Sequence, residues 1–211
     1  MNLIPWIEKH RSEVGCDEAG RGCLAGPVTA GAVILDPVFA WKLCEEGLLT
    51  DSKKLSEKHR NSLRERIELE ATAWSVCHVS PGEIDEINIL QASFTAMRRA
   101  VKTLKVEPEF MLIDGNRFKS EAGLPDFECF VKGDARFASI AAASILAKTH
   151  RDECMRELSR LHPHYGWQKN AGYPTRAHRD SIRRFGTTKH HRKSFRLLPE
   201  QEASLGKSPS K

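Results

Sequence analysis

The 211-residue chain predicts an α/β protein, and three observations lead there. Short apolar runs of strand length alternate with longer segments whose apolar residues recur at helical spacing. Three of the runs end in a carboxylate beside a glycine, at Asp17, Asp114 and Asp134. Open α/β sheets place their sites at the carboxyl ends of neighbouring strands. Apolar content of 40% and charged content of 29% suit a globular chain long enough to bury a core.

Met1 to Ser12 reads as a short amphipathic lead. The first strand is expected over Glu13–Asp17 and the second over Pro27–Leu35. Adjacent Asp17 and Glu18 would point to opposite faces of a regular strand. Ala19-Gly20 is expected to break the pleat so that both carboxylates converge. On its own the pair is equally an acidic turn after an edge strand. Gly20-Arg21-Gly22 then forms a turn whose glycines leave the backbone open to a ligand.

Ser56 is a good N-cap for a helix to about Glu70. Thr72–Val79 is the third strand, closed by Pro81-Gly82. From about Asn88, the residues Ile89, Ala92, Ala96, Met97, Ala100, Val101 and Leu104 share one helical face, which Glu107-Pro108 ends. Phe110–Ile113 is a buried strand running into Asp114-Gly115-Asn116, and Phe127–Val131 is a fifth, followed by Lys132-Gly133-Asp134. A helix over about Phe137–Leu161 begins with small residues, Ala138 to Ala147, that let it lie close on a sheet. His162-Pro163 stops it. Tyr165–Asn170 reads as a polar, aromatic loop, and Thr175 caps a basic helix to Phe185 with Gly186 at its end. Residues 199–211 are expected to be a disordered tail.

No apolar run approaches the roughly 20 residues of a membrane span, and no secretory signal is visible at the N-terminus. Six cysteines lie scattered without a CxxC pair, as small buried residues in a reducing compartment would, so a cytoplasmic setting is expected. The charge is uneven: Lys148 to Arg196 sums to +9 and the rest of the chain to −4. Six of the nine histidines fall in that basic quarter, and Tyr165, Trp167, Tyr173, Phe185 and Phe195 interleave with its charges. A solvated helix surface is one reading. The dominance of arginine and the interleaved aromatics favour the other, a nucleic-acid partner.

The chemistry follows from the acids. Hard divalent ions take oxygen ligands and bind through a few carboxylates, and two such ions can activate water and stabilise the leaving oxygen of a phosphodiester. Asp17, Glu18, Asp114 and Asp134 would repel one another unless cations neutralised them. The set fits metal-dependent phosphodiester hydrolysis. The chain contains no P-loop, HExxH or GxSxG motif. Asp152 is expected to pair with a helical arginine.

The stretches Asp17-Glu18-Ala19-Gly20-Arg21-Gly22, Asp51-Ser52-Lys53-Lys54-Leu55, Ile87 to Ser93, Ile113-Asp114-Gly115 and Lys132-Gly133-Asp134 resemble type 2 ribonuclease H. So do Ala141 to Lys148, Ala171-Gly172-Tyr173-Pro174 and His191-Arg192-Lys193-Ser194-Phe195. The likeness runs in order from about Val14 to Phe195. Adjacent Asp17-Glu18 separates it from type 1 enzymes, and Gly20-Arg21-Gly22 from type 3 relatives, which carry a threonine there.

The resemblance implies a ribonuclease H-like fold, a mixed five-stranded sheet flanked by helices with a C-terminal helical extension. It implies a catalytic domain over residues 1–162 and a basic substrate-binding region over 163–198. It also implies Mn²⁺- or Mg²⁺-dependent cleavage, with two ions, on the 5′ side of ribonucleotides in RNA/DNA hybrids or embedded in duplex DNA, leaving 3′-hydroxyl and 5′-phosphate ends. By analogy Asp17, Glu18, Asp114 and Asp134 hold the metals. Gly20, Arg21 and Gly22 hold the ribonucleotide, and Tyr173 stacks on the following deoxyribose; a loop tyrosine packed on Trp167 is the plainer alternative. Ser52, Lys53 and Arg192 contact phosphates. A hybrid-binding protein without activity and an integrase-like transferase are the competing classes; intact acids disfavour the first and adjacent Asp-Glu the second. A monomer is expected. The tail Gln201-Glu202-Ala203-Ser204-Leu205 matches a clamp-binding motif too weakly to support a sliding-clamp partner.

Overall fold

Glu13–Ala19 (β1) and Val28–Ile34 (β2) lie at the buried middle of a five-stranded sheet. Their small apolar residues suit strands covered on both faces. The computed structural model describes residues 3–47, 49 and 55–199. The sheet is completed by Ala73–Val79 (β3), Phe110–Asp114 (β4) and Asp126–Phe130 (β5), in the order β3-β2-β1-β4-β5. β1, β2 and β3 pair antiparallel, whereas β1–β4 and β4–β5 pair parallel. This is the expected mixed five-stranded sheet.

Helices cover both faces. Pro37–Glu45 (α1), Glu57–Glu70 (α2) and Ala138–Leu161 (α4) lie on one face, and Pro81–Lys102 (α3) on the other. The small residues of α4 seat it against sheet glycines. A Cβ built on Gly15 would lie 2.1 Å from the Ser139 carbonyl carbon, and one on Gly31 would lie 2.5 Å from the Ala143 oxygen. On the other face Ala92, Ala96, Met97 and Ala100 of α3 pack on Val14, Cys16, Met111 and Ile113.

Two helical starts differ from the sequence reading. α1 was not expected, although Asp36 caps it by accepting from Val38 N at 2.8 Å and Pro37 opens it. α3 begins at Pro81 rather than Asn88, because Ser80 caps it and Pro81 takes its first turn. Asn88, at φ 65°, kinks this helix, and its side chain caps the second half from Leu90 N and Gln91 N.

Tyr165–Asn170 is not a polar loop. Tyr165 closes a single 3₁₀ turn, Trp167–Asn170 (α5) makes one helical turn, and both aromatics are buried and stacked with centroids 5.0 Å apart. With Leu24, Ala25, Met155 and Ile182 they form the core of the C-terminal region. Arg176–Phe185 (α6) follows, capped by Thr175 as expected. Among the described residues no helix is long and apolar enough to cross a membrane. The tail beyond Pro199 lies outside the described residues.

Candidate active site

β1 delivers the two adjacent acids, but not by a broken pleat. Pairing with β2 continues through Asp17↔Gly31, Glu18↔Ala30 and Ala19↔Thr29. The alternation therefore persists, and Asp17 and Glu18 keep to opposite faces. Val14 and Cys16 face α3, as does Glu18, while Gly15 and Asp17 face α4. The chain turns only at Gly20, whose φ is +92°.

The two acids meet because the site wraps the end of the sheet. One cavity of about 240 Å³ is lined by Asp17, Glu18, Gly20, Asp114, Ser144 and Tyr173, among others. A second, of about 290 Å³, lies on the α3 side of Glu18, Arg21 and Asp114, against Leu90, Phe94 and Met97. Asp114 ends β4, whose parallel register puts Ile113 opposite Cys16. Its Oδ1 accepts from Gly133 N at 2.7 Å. Asp134 follows in the turn after β5, half-buried and outside the walls of both cavities, tied to the others through the backbone of Gly133.

Burial holds the Asp17 carboxyl well above the usual carboxylate range, and the nearby Glu18 and Asp114 charges add to this. Hydrogen bonds from the Ser144 side chain and from Glu18 N, the latter 2.6 Å from Oδ1, oppose the shift. Such a cluster is relieved by a cation. Among the described residues no three acidic, histidine or cysteine side chains are already close enough to enclose an ion. The acids instead border an open cleft, and an all-oxygen set of this kind fits a hard divalent ion that keeps waters in its shell.

The loop after β1 is sewn to the C-terminal region. Arg151 is fully buried, with Nε donating to Pro27 O at 2.9 Å, Nη1 to Ala171 O at 2.9 Å and Nη2 to Ala25 O at 3.2 Å. A Cβ on Gly20 would sit 2.0 Å from its Nε. Leu24 N donates to Gly172 O at 2.8 Å. Gly22, by contrast, has no neighbour within 4 Å of a built Cβ and no positive φ. Arg21 is exposed and reaches Glu18 Oε1 at 3.1 Å.

Residues 14–198 match the family described as Ribonuclease HII. The chain belongs to the ribonuclease HII family. It is 58% identical over 199 residues to the ribonuclease HII of Parabacteroides distasonis, covering 94% of this chain and 97% of that one. Its fold is similar to that of ribonuclease H2 from Pyrococcus horikoshii, with TM-score 0.74 and 26% identity over 88% of this chain and 94% of that one. The RNase HII of the PCNA:RNase HII complex from Archaeoglobus fulgidus matches with TM-score 0.70 and 26% identity, over 92% of this chain and 99% of that one. Bst-RNase HIII, solved in complex with Mn²⁺, shares the fold with TM-score 0.71 at 21% identity, over 89% of this chain and 68% of that one.

Within this ribonuclease HII chain the remaining expected residues divide. Tyr173 borders the acid-lined cavity at 39% exposure, and it is Tyr165, not Tyr173, that stacks on Trp167. Arg192 does not face solvent where a phosphate could reach it: it is 0% exposed. Its Nε donates to Gly26 O at 3.0 Å and its Nη1 to Arg21 O at 2.8 Å. It holds the Gly20-Arg21-Gly22 turn from beneath. Asp152 pairs with Lys148 at 2.6 Å rather than with an arginine, since Lys148 stands one helical turn before it. Ser52 and Lys53 lie outside the described residues. Ser144 and Lys148 line the cavity, although the small residues Ala138 to Ala147 read first as packing against the sheet. The signals for them were their place in the Ala141 to Lys148 stretch that resembles type 2 ribonuclease H and their spacing of four on an alanine-rich helix.

Proposed function

We propose that the cleft at the carboxyl end of β1 and β4 is where this ribonuclease HII cuts its substrate, with Asp17, Glu18, Asp114 and Asp134 as the metal-holding acids. Ribonuclease HII cleaves RNA in RNA/DNA hybrids and at ribonucleotides embedded in DNA, and this chain is a metal-dependent endoribonuclease of that family. The bond cut is the one 5′ to the ribonucleotide, leaving 3′-hydroxyl and 5′-phosphate ends. The observation that carries this reading is the gathering of Asp17, Glu18 and Asp114 around one cavity, with the Asp17 carboxyl raised by burial and further by its acidic neighbours.

Two divalent ions, Mg²⁺ or Mn²⁺, would be held by Asp17, Glu18, Asp114 and Asp134 and would supply Lewis acidity for activating water and stabilising the departing oxygen. The chain's residues do the rest. Ser144 orients the Asp17 carboxylate. Arg21 places a mobile positive charge beside Glu18 and the scissile phosphate. Open space around Gly22 lets backbone approach the ribose, where the 2′-hydroxyl distinguishes RNA. Tyr173 offers its ring to the next deoxyribose from the opposite wall. Ser52 and Lys53 are phosphate contacts, and Arg192 is a positioning residue for the turn.

A monomeric enzyme is proposed, since the site as described needs no residue from a second copy. Six free thiols support a reducing, cytoplasmic setting. A sliding-clamp partner forms no part of the proposal, because the weak motif at Gln201 to Leu205 lies outside the described residues. The deciding experiment is cleavage of duplex DNA carrying one ribonucleotide, with and without Mn²⁺, by the parent and by Asp114→Asn. Metal-independent cutting, or full activity in the variant, would overturn the assignment.

A further inference from the structure

Four histidines crowd behind the Tyr173 loop, and two of them have only one tautomer that their neighbours accept. His178 is fully buried at the third position of α6, where its backbone N–H is capped by Thr175 Oγ1 at 3.2 Å. Its Nδ1 lies 2.9 Å from the Tyr173 carbonyl oxygen, which can only accept, so Nδ1 carries the proton. Its Nε2 accepts from Trp167 Nε1 at 2.9 Å. His191 repeats the logic: Nδ1 accepts from Thr188 N at 2.9 Å, leaving the proton on Nε2, which faces His178 Nε2 at 3.3 Å. Both rings are neutral, and each bond fixes the next.

We infer that His178 is a positioning residue for Tyr173, holding that residue's carbonyl so that its ring stands over the cleft, with Trp167 and His191 locking His178 in the required tautomer. The inference rests on the reading of Tyr173 as the group that meets the deoxyribose. The same carbonyl also accepts from Thr175 N at 2.8 Å, a bond that closes a turn within the loop itself. The His178 bond ties the same oxygen to a helix whose base is the stacked Tyr165–Trp167 pair. Tyr173 N, which donates to Asn170 O at 2.8 Å, completes the frame. The Tyr173 backbone is thus tied to the C-terminal core, while Arg151 of α4 lies 6.0 Å from its ring centroid.

Two substitutions split the two bonds of His178. In His178→Asn the amide nitrogen can take the place of Nδ1 and keep the bond to Tyr173 O, while Trp167 Nε1 loses its acceptor. In His178→Gln the longer amide can keep Trp167 satisfied, while the Tyr173 carbonyl loses its donor. The readout is the ratio of kcat/KM on duplex DNA with one ribonucleotide to kcat/KM on a long RNA/DNA hybrid. Tyr173→Ala is measured in parallel, and thermal melting is recorded for every variant.

The expected result is a ratio lowered about fivefold in His178→Gln, toward the Tyr173→Ala value, the equivalent of one hydrogen bond. His178→Asn should keep the parental ratio even though its melting temperature falls. A parental ratio in His178→Gln beside a lowered one in Tyr173→Ala overturns the inference and leaves the Tyr173 reading intact. Equal shifts in both His178 variants, tracking stability, also overturn it. No change in Tyr173→Ala overturns the Tyr173 reading itself, and this inference with it. An independent check needs no variant: the ¹⁵N shifts of the His178 ring in the parent should report Nδ1 protonated and Nε2 bare, and the opposite tautomer refutes the inference.

Discussion

Arg192 Nη1 donates to the carbonyl oxygen of Arg21 at 2.8 Å, joining residues 171 positions apart. One buried guanidinium thus sets the height of the Gly20-Arg21-Gly22 turn. Burial pushes Arg192 down to about 10, which leaves it charged at neutral pH. Replacing it with Lys cannot reproduce the fork and leaves carbonyl groups unpaired. Arg192→Lys should lose about 2–3 kcal/mol of stability. The salt dependence of duplex binding should be unchanged, because no phosphate contact is removed. A reduced salt slope would place Arg192 on the nucleic acid after all.

Exposed arginines should behave in the opposite way. Arg176 is 97% exposed on α6, and Arg184 is exposed near its end beside Phe185. Neutralising both should leave the melting temperature in place and lower the salt slope by up to about 2. Binding measured across a salt series checks this, and an unchanged slope would mean that this face is solvated only.

Asp17→Asn should abolish cleavage while sparing duplex binding. Because burial and its acidic neighbours raise the Asp17 carboxyl, its charge destabilises the metal-free fold at neutral pH. The variant should therefore melt higher than the parent without metal and gain less on adding Mn²⁺. Melting curves with and without the ion measure both effects.

The two glycines of the turn should separate fold from recognition. Gly20→Ala puts a methyl into Arg151 at a φ of +92°, so it should destabilise the protein strongly. Gly22→Ala meets nothing within 4 Å and should unfold at the same urea concentration as the parent. Its discrimination in favour of the ribonucleotide should nevertheless fall about tenfold, the cost of unpairing a buried polar contact. Parental discrimination in Gly22→Ala would remove the turn from substrate recognition.

Acid should weaken the C-terminal region. Burial first, then the neighbouring His178, pushes His191 from 6.5 down to about 4. Between those values the unfolded chain binds a proton that the folded chain refuses. Stability is complete above about pH 6.5 and falls as the pH drops toward 4, by on the order of 3 kcal/mol. In His191→Asn that limb of the stability curve should flatten, which urea titrations at several pH values will show.

The strand ends that carry Asp17, Glu18 and Asp114 to one cavity and the caps at Ser56 and Thr175 were legible because each is a local pattern of strand end or helix start. The destination of Arg192 was not, since its partners, Arg21 and Gly26, are more than 160 residues away and are backbone carbonyls, which every residue has. The faces of Asp17 and Glu18 were misjudged for a related reason. Ala19-Gly20 looks like a strand breaker, but the ladder to β2 holds Ala19 against Thr29 and defers the turn by a residue. Trp167 was read as a loop residue because its surroundings are polar in sequence and apolar only in space.

Asp17 and Glu18 are separated by one peptide unit inside a paired strand, so their spacing is a covalent length and not a packing distance. The third acid is set against them by the β1–β4 ladder, a hydrogen-bonded ruler. The Tyr173 carbonyl and the underside of the turn, in contrast, are tied to His178 and Arg192 of the C-terminal region. The acid cluster and the proposed substrate-contacting groups are thus set against two different datums. On the proposed roles, breathing of the C-terminal region would blur which nucleotide is presented without altering the distances between the acids. Native-state hydrogen exchange should find α6 opening at a lower free energy than β1 and β4.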